Sequence, residues 1–121
     1  MRLSGVGVDL VDLGRVSRFL KTHGKKSAGR VLTPGERAKW KKTSLSPVFF
    51  AKMFAAKEAF FKALGRAWMG DGGFLTMEVN CLPGKKFRVR ALDGKKNAPE
   101  AEGTFFHRDG WLGAQVILWQ N

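Results

Sequence analysis

The stretch from Ser46 to Gly65 constrains this chain more than any other. Ser46-Pro47 is a Ser-Pro helix start, Gly65 is a helix stop, and the residues between them repeat with a helical period. Phe49, Met53, Ala56, Phe60, Ala63 and Leu64 form an apolar stripe that needs a core to face. A helix of that length presents about 30 Å of stripe, so it is expected to be the post around which the rest packs. The same helix carries Glu58 and Lys62 one turn apart, with Phe54 a turn before them. As a solvated i,i+4 pair they are worth only about 0.3–0.5 kcal/mol. As part of a site they supply one carboxylate and one ammonium on a single helix face.

The N-terminus offers them a partner. Gly5-Val6-Gly7-Val8-Asp9-Leu10-Val11-Asp12 alternates with period two, which predicts a strand from about Leu3 to Leu10 with Val6, Val8 and Leu10 on one face and Gly5, Gly7 and Asp9 on the other. Glycines inside a strand mark a close approach, either of a ligand or of a helix. Asp9, placed in an apolar run, needs a partner of its own. A strand carboxylate and a helix carboxylate can together hold a hard cation such as Mg²⁺, which takes a few protein oxygens and the oxygens of a phosphate.

The rest of the chain reads as supporting structure. Asp12 is positioned to cap a helix with Leu13, Val16, Phe19 and Leu20 on its buried side and Arg15, Arg18 and Lys21 on its exposed side, ending near Gly24. Lys25 to Arg30 reads as a basic connector. Thr33-Pro34-Gly35-Glu36 is a capping box with Pro at the first helical position, opening a short helix that carries Trp40. Met69 to Gly73 reads as a flexible loop. Phe74–Cys81 and Phe87–Leu92 read as strands joined by a Pro83-Gly84 hairpin, with Arg88 and Arg90 on one face. Asp93–Gly103 reads as a polar loop or arm, and Trp111–Trp119 as a closing strand. The expected fold is α+β: a small antiparallel or mixed sheet on a long central helix, with two or three shorter helices, in one domain over residues 1–121.

Charge bounds the partners. The 121 residues hold 22 Lys and Arg against 10 Asp and Glu, a net charge of +12, which favours an anionic ligand or macromolecule. Nucleic acid is one such partner, but the chain carries no Cys/His finger spacing, no heptad and no RNA-recognition strand signature. The apolar runs are too short to span a bilayer. With Cys81 the one cysteine, no internal disulfide can form, and a reducing cytoplasm is the expected location.

Gly5-Val6-Gly7-Val8-Asp9, followed about fifty residues later by Phe54-Ala55-Ala56-Lys57-Glu58-Ala59 and Lys62-Ala63-Leu64-Gly65, resembles the holo-[acyl-carrier-protein] synthases, the small stand-alone 4′-phosphopantetheinyl transferases. The resemblance extends through Arg30–Glu36, Phe50-Ala51-Lys52 and the closing Gly113–Leu118. It implies transfer of the 4′-phosphopantetheine arm of coenzyme A to a serine of an apo acyl carrier protein, with release of adenosine 3′,5′-bisphosphate. Asp9 and Glu58 would then hold Mg²⁺ and Lys62 would act in catalysis beside them. Phe54, Lys57, Lys62 and Gly65 would contact coenzyme A, and Arg15 and Arg18 would grip the acidic carrier. The same resemblance implies a homotrimer with sites between subunits, and no membrane or nucleic-acid partner. The chain departs from the family pattern at Met53, where Arg is frequent, and at Arg66-Ala67, where Thr-Gly is frequent. It departs again at Thr104–His107, where many members carry a Ser-x-Ser/Thr-His run; His107 reads more simply as a loop or strand-edge residue. A homologue impaired in catalysis that still binds coenzyme A or carrier, and a non-catalytic basic nucleic-acid-binding protein, are the alternatives.

Overall fold

The computed structural model describes residues 1–65, 73–92 and 99–120. The expected Met69–Gly73 loop, apart from Gly73, lies outside the described residues, as do Arg66-Ala67 and 93–98. Strand β1 (Arg2–Asp12) leads into helix α1 (Leu13–Ala28), then α2 (Pro34–Lys42) and the long α3 (Pro47–Leu64). A 3₁₀ turn at Phe74–Thr76 precedes β2 (Met77–Cys81), β3 (Lys86–Ala91), β4 (Glu100–Arg108) and β5 (Trp111–Gln120). The strands form one antiparallel sheet in the order β1-β5-β4-β3-β2, so β1 is an edge strand joined to the last strand of the chain. No helix among the described residues is long and apolar enough to cross a membrane.

Local chemistry sets the element ends. Asp12 Oδ1 accepts from the backbone N–H groups of Gly14 (2.8 Å) and Arg15 (3.3 Å), so the acid at the end of β1 is the cap of α1. Thr33 and Glu36 form the reciprocal capping box at the start of α2. Ser46 caps α3 and Gly65 ends it in the left-handed conformation, φ 71°. At the β4–β5 turn Asp109 and Gly110 both have positive φ, 52° and 80°, the requirement of a two-residue hairpin whose twist matches its strands.

Three expectations change. Gly24, φ 59° and ψ −153°, does break the first helix, but the chain resumes a helical turn to Ala28, which is fully buried; Lys25–Arg30 is therefore not simply a solvated connector. The residues Phe74–Thr76 make a 3₁₀ turn instead of starting β2. Glu100–Gly103 is strand and not loop, because Ala101 faces the core while Glu100 and Glu102 look out and pair with Arg88.

One hydrophobic core lies between α3 and the sheet. It contains Phe50, Met53, Ala56, Ala59, Phe60 and Ala63 from the helix, and Val79, Phe87, Val89, Phe105, Leu112, Ala114 and Val116 from the strands. Phe87 and Phe105 stack at 4.4 Å between centroids, and Lys52 sits 5.5 Å over the Phe105 ring. Met53, 1% exposed, is a core residue. On β1 it is the Gly5-Gly7-Asp9-Val11 face that turns to α3, whereas Val6, Val8 and Leu10 are exposed.

Candidate functional site

The glycines of β1 are there for the helix. A Cβ on Gly5 would stand 1.9 Å from the carbonyl oxygen of Ala63, and one on Gly7 would stand 1.8 Å from that of Ala59. Two residues of strand advance about 6.8 Å and four residues of helix about 6.0 Å, so the Gly5/Gly7 pair and the Ala59/Ala63 pair come into register. Either substituent would have to move the helix backbone. This contact puts the residues flanking the alanines, Glu58 and Lys62, beside the next inward position of the strand, Asp9.

Lys62 turns toward the strand. Its ammonium donates to Asp9 Oδ1 and to the backbone carbonyl of Val8, both at 3.0 Å. The ion pair with Asp9 replaces the i,i+4 pairing with Glu58 that the helix spacing alone suggests. The Asp9 side chain is 15% exposed and that of Lys62 52%, so the pair straddles the boundary between core and solvent. The second oxygen of Asp9, Oδ2, is buried and accepts no hydrogen bond from the protein. Burial pushes the Glu58 carboxyl above the ordinary carboxylate range; the charge of Asp9 pushes it further, and Lys62 pulls it partly back.

Asp9 and Glu58 both line a cleft of about 540 Å³. Asp12 and Arg15 share its rim, and its walls are apolar, with Phe19, Phe50, Phe54 and Trp111 among them. Phe54 is held from behind by Phe74, 5.3 Å between ring centroids. Of the two arginines expected to bind a carrier, Arg15 borders this cleft; Arg18 is exposed on α1 outside its lining. Gly65 is exposed at the end of α3. His107 lies exposed on β4, opposite Leu112, outside the cleft. Phe19, which the helical period puts within the buried stripe of α1, is 38% exposed and belongs to the cleft wall. Trp111, 48% exposed, was legible only as the start of a strand.

Lys57 belongs to the interior and not to the cofactor side that the family resemblance implies. Its side chain is 0% exposed and its ammonium gives its three protons to Val31 O, Glu36 Oε1 and Phe74 O, each at 2.7 Å, so none is left for a ligand such as coenzyme A. Glu36, 1% exposed, is equally engaged: Oε1 also accepts from Thr33 N at 2.9 Å and Oε2 from Val79 N at 2.7 Å. Thr33 Oγ1 extends the network to Glu78 Oε2 at 2.9 Å. Burial pushes the Lys57 ammonium down and Glu36 opposes that shift. The capping box that in sequence marks only a helix start thus also supplies the counter-ion of a buried lysine. Nothing local to Lys57 signals this.

The donor set fits a hard divalent cation. Asp9 presents a buried oxygen with no partner, Glu58 a carboxyl whose ionisation is opposed by burial and by a neighbouring negative charge, and a cation between them would relieve both. Among the described residues no group of three or more His, Cys, Asp and Glu converges, so the remaining positions would fall to water or to a bound phosphate, as is usual for Mg²⁺.

This is a small α+β scaffold with two carboxylates, Asp9 and Glu58, on the wall of one cleft and a lysine ammonium bound to the first. The chain belongs to the 4′-phosphopantetheinyl transferase superfamily, whose model matches residues 5–114. Its relatives there are holo-[acyl-carrier-protein] synthases: that of Chelativorans sp. (strain BNC1) is 42% identical over 90 residues, 74% of this chain and 68% of its own. That of Methylobacterium radiotolerans is 39% identical over 90 residues, 74% of this chain and 66% of its own, and that of Rhodopseudomonas palustris (strain TIE-1) 38% over 101 residues, 80% and 69%. The chain thus aligns with about two thirds of the length of these relatives. The likeness in structure runs further. The holo-[acyl-carrier-protein] synthase of Neisseria meningitidis superposes with a TM-score of 0.81 over 98% of this chain and all of its own, at 27% identity. That of Helicobacter pylori, solved in complex with coenzyme A, superposes with a TM-score of 0.76 over 94% of this chain and 99% of its own, at 25% identity. The fold and family expected from the Asp9 and Glu58–Lys62 motifs are therefore the ones found.

Proposed function

We propose that this chain, as a single-domain enzyme, transfers the 4′-phosphopantetheine arm of coenzyme A to a serine of an acidic apo acyl carrier protein, with Mg²⁺ as cofactor and adenosine 3′,5′-bisphosphate as the second product. The observation that carries the reading is the pair Asp9 and Glu58 on the wall of one cleft, with Lys62 bound to one Asp9 oxygen and the other, buried, left without a partner. The names of the relatives and the coenzyme A complex of a structural neighbour support the substrates.

In the reaction the serine oxygen attacks the phosphorus that carries the pantetheine arm, the bond from that phosphorus to the bridging oxygen breaks, and the nucleotide leaves as the bisphosphate. Asp9 and Glu58 would hold the Mg²⁺, which when bound neutralises pyrophosphate charge. Lys62 spends two protons on Asp9 and Val8 and keeps a third, which can be directed at a phosphoryl oxygen as it gains charge. Glu58, or a water beside it, would accept the serine proton. Phe54, with Phe74 behind it, forms an apolar wall that excludes water beside these groups. Arg15, at the rim, meets the acidic carrier, with Arg18 a turn further out on the same helix.

The outer face of β1 and β5 supports self-association. Leu3, Val6, Val8, Leu10, Ile117 and Trp119 are all at least 36% exposed on adjacent strands, an apolar surface of the kind a homotrimer would cover. The lone Cys81 and the absence of a disulfide requirement accord with a cytoplasmic location. The test of the activity is direct. The protein is incubated with coenzyme A, Mg²⁺ and apo carrier protein, and the carrier is weighed by mass spectrometry. The arm is expected on the serine with the parent and to be lost with Asp9→Ala or Glu58→Ala. No mass gain with the parent, or full transfer by either variant, would overturn the reading.

A further inference from the structure

Lys62 contacts the site in a way that its charge alone does not explain. An ammonium beside a divalent cation repels it, so a lysine next to two metal-binding carboxylates costs affinity unless it does something else. The geometry supplies the something else. Lys62 takes hold of one Asp9 oxygen, Oδ1, and leaves the other, Oδ2, buried and unbonded. With its second proton it ties the Val8 carbonyl, the residue before Asp9. β1 is an edge strand with β5 on one side only, and it packs closely on α3 at Gly5 and Gly7. The lysine therefore fixes both the rotation of the Asp9 carboxylate and the stretch of strand that carries it.

We infer that Lys62 is a positioning residue for the cation site: it clamps Asp9 Oδ1 and Val8 O so that Asp9 Oδ2 stands ready as the metal-ligating oxygen. This rests on the reading that Asp9 and Glu58 hold a divalent cation. Lys62 has a third proton beyond the two it gives to Asp9 and Val8, so the clamp coexists with a role toward phosphate. In the unclamped protein the carboxylate is free to turn about its last bond toward solvent, and the site must order it at the moment of binding.

The two accounts of Lys62 differ in sign. If it is only a neighbouring charge, Lys62→Met removes a repulsion and should tighten cation binding, by about threefold to tenfold for a pair this exposed. If it positions Asp9, the same variant should weaken binding, since loss of a partner that orients a metal ligand typically costs about 10–100-fold in affinity. Mn²⁺ is the probe, titrated into the full-length, metal-free protein without coenzyme A or carrier, with free Mn²⁺ read by its electron paramagnetic resonance signal. The expected result is binding by the parent, its abolition in Asp9→Asn, and at least threefold weaker binding in Lys62→Met. Lys62→Gln, also neutral but too short to bridge both acceptors, should fall in the same direction, and Lys62→Arg should retain most of the affinity. Circular dichroism checks that each variant is folded, which the half-exposed Lys62 side chain and the isosteric Asp9→Asn change both allow. Unchanged or tighter binding in Lys62→Met and Lys62→Gln, with the parent binding normally, would overturn the clamp and leave the cation site standing. A parent that binds no Mn²⁺, or binding that survives Asp9→Asn, would overturn the cation site and the clamp together.

Discussion

Replacing Lys57 by Met tests whether the buried lysine belongs to the core or to the ligand. The substitution keeps the stem but removes an ammonium that donates at 2.7 Å to Val31 O, Glu36 Oε1 and Phe74 O, from a position that is 0% exposed. Glu36 would keep its backbone donors at Thr33 and Val79 but lose its counter-ion while 1% exposed. Breaking one side of such a pair costs about 3–5 kcal/mol, chiefly because a charge stays buried without compensation. At about 2.1 cal/mol/K of unfolding entropy per residue, a chain of 121 residues converts about 4 kcal/mol into a fall of about 16 °C in Tm. Adding Glu36→Gln, which removes the stranded charge, should return about 1–2 kcal/mol, so the two changes together cost less than their sum. Thermal unfolding of the parent, both single variants and the double variant at pH 7 gives the coupling. The Michaelis constant for coenzyme A, measured below the lowest Tm, separates the two accounts. A Lys57→Met protein that unfolds within about 3 °C of the parent while its Michaelis constant for coenzyme A alone rises would refute the structural account.

Gly7→Ala must move Ala59 O by about 1.4 Å to restore a normal contact from 1.8 Å, and is expected to cost about 1–3 kcal/mol of stability and about 10²-fold in transfer rate by displacing Glu58 and Lys62 from Asp9; denaturant unfolding and the transfer assay check it, and an unperturbed rate would contradict the packing argument. Glu58 has a carboxyl raised above 4.5 in the folded protein, so its contribution to stability is fully present below that value and is lost as pH rises through the folded value. Metal-free Glu58→Gln should accordingly gain Tm relative to the parent between about pH 4 and pH 8, and saturating Mg²⁺ should shrink the difference; a constant difference across that range would contradict the shift.

The sequence by itself determined what neighbouring residues decide among themselves. Asp12, Thr33 with Glu36, Ser46-Pro47 and Gly65 each meet an unsatisfied backbone group within a few residues, so the helix starts and the end of α3 were legible without the fold. The period of α3 and the alternation of β1 were legible for the same reason, and with them Asp9 and Glu58, the two carboxylates of the cleft. What only the tertiary structure decided are the relations across the chain. Lys62 could be read on the helix only against Glu58, four residues away, whereas its partner is Asp9, fifty-three residues away. The family resemblance puts Lys57 at coenzyme A, and nothing local could say otherwise, because Glu36, its counter-ion, is brought to it by a separate helix. Alternation divides β1 into two faces but does not say which is covered, and here the ridge of Ala59 and Ala63 needs a surface without side chains, so the glycine face turns inward and the valines turn out. In β4 the outward Glu100 and Glu102 gave a polar signature that local reading takes for a loop; the strand exists because β3 and β5 offer their hydrogen bonds on both sides.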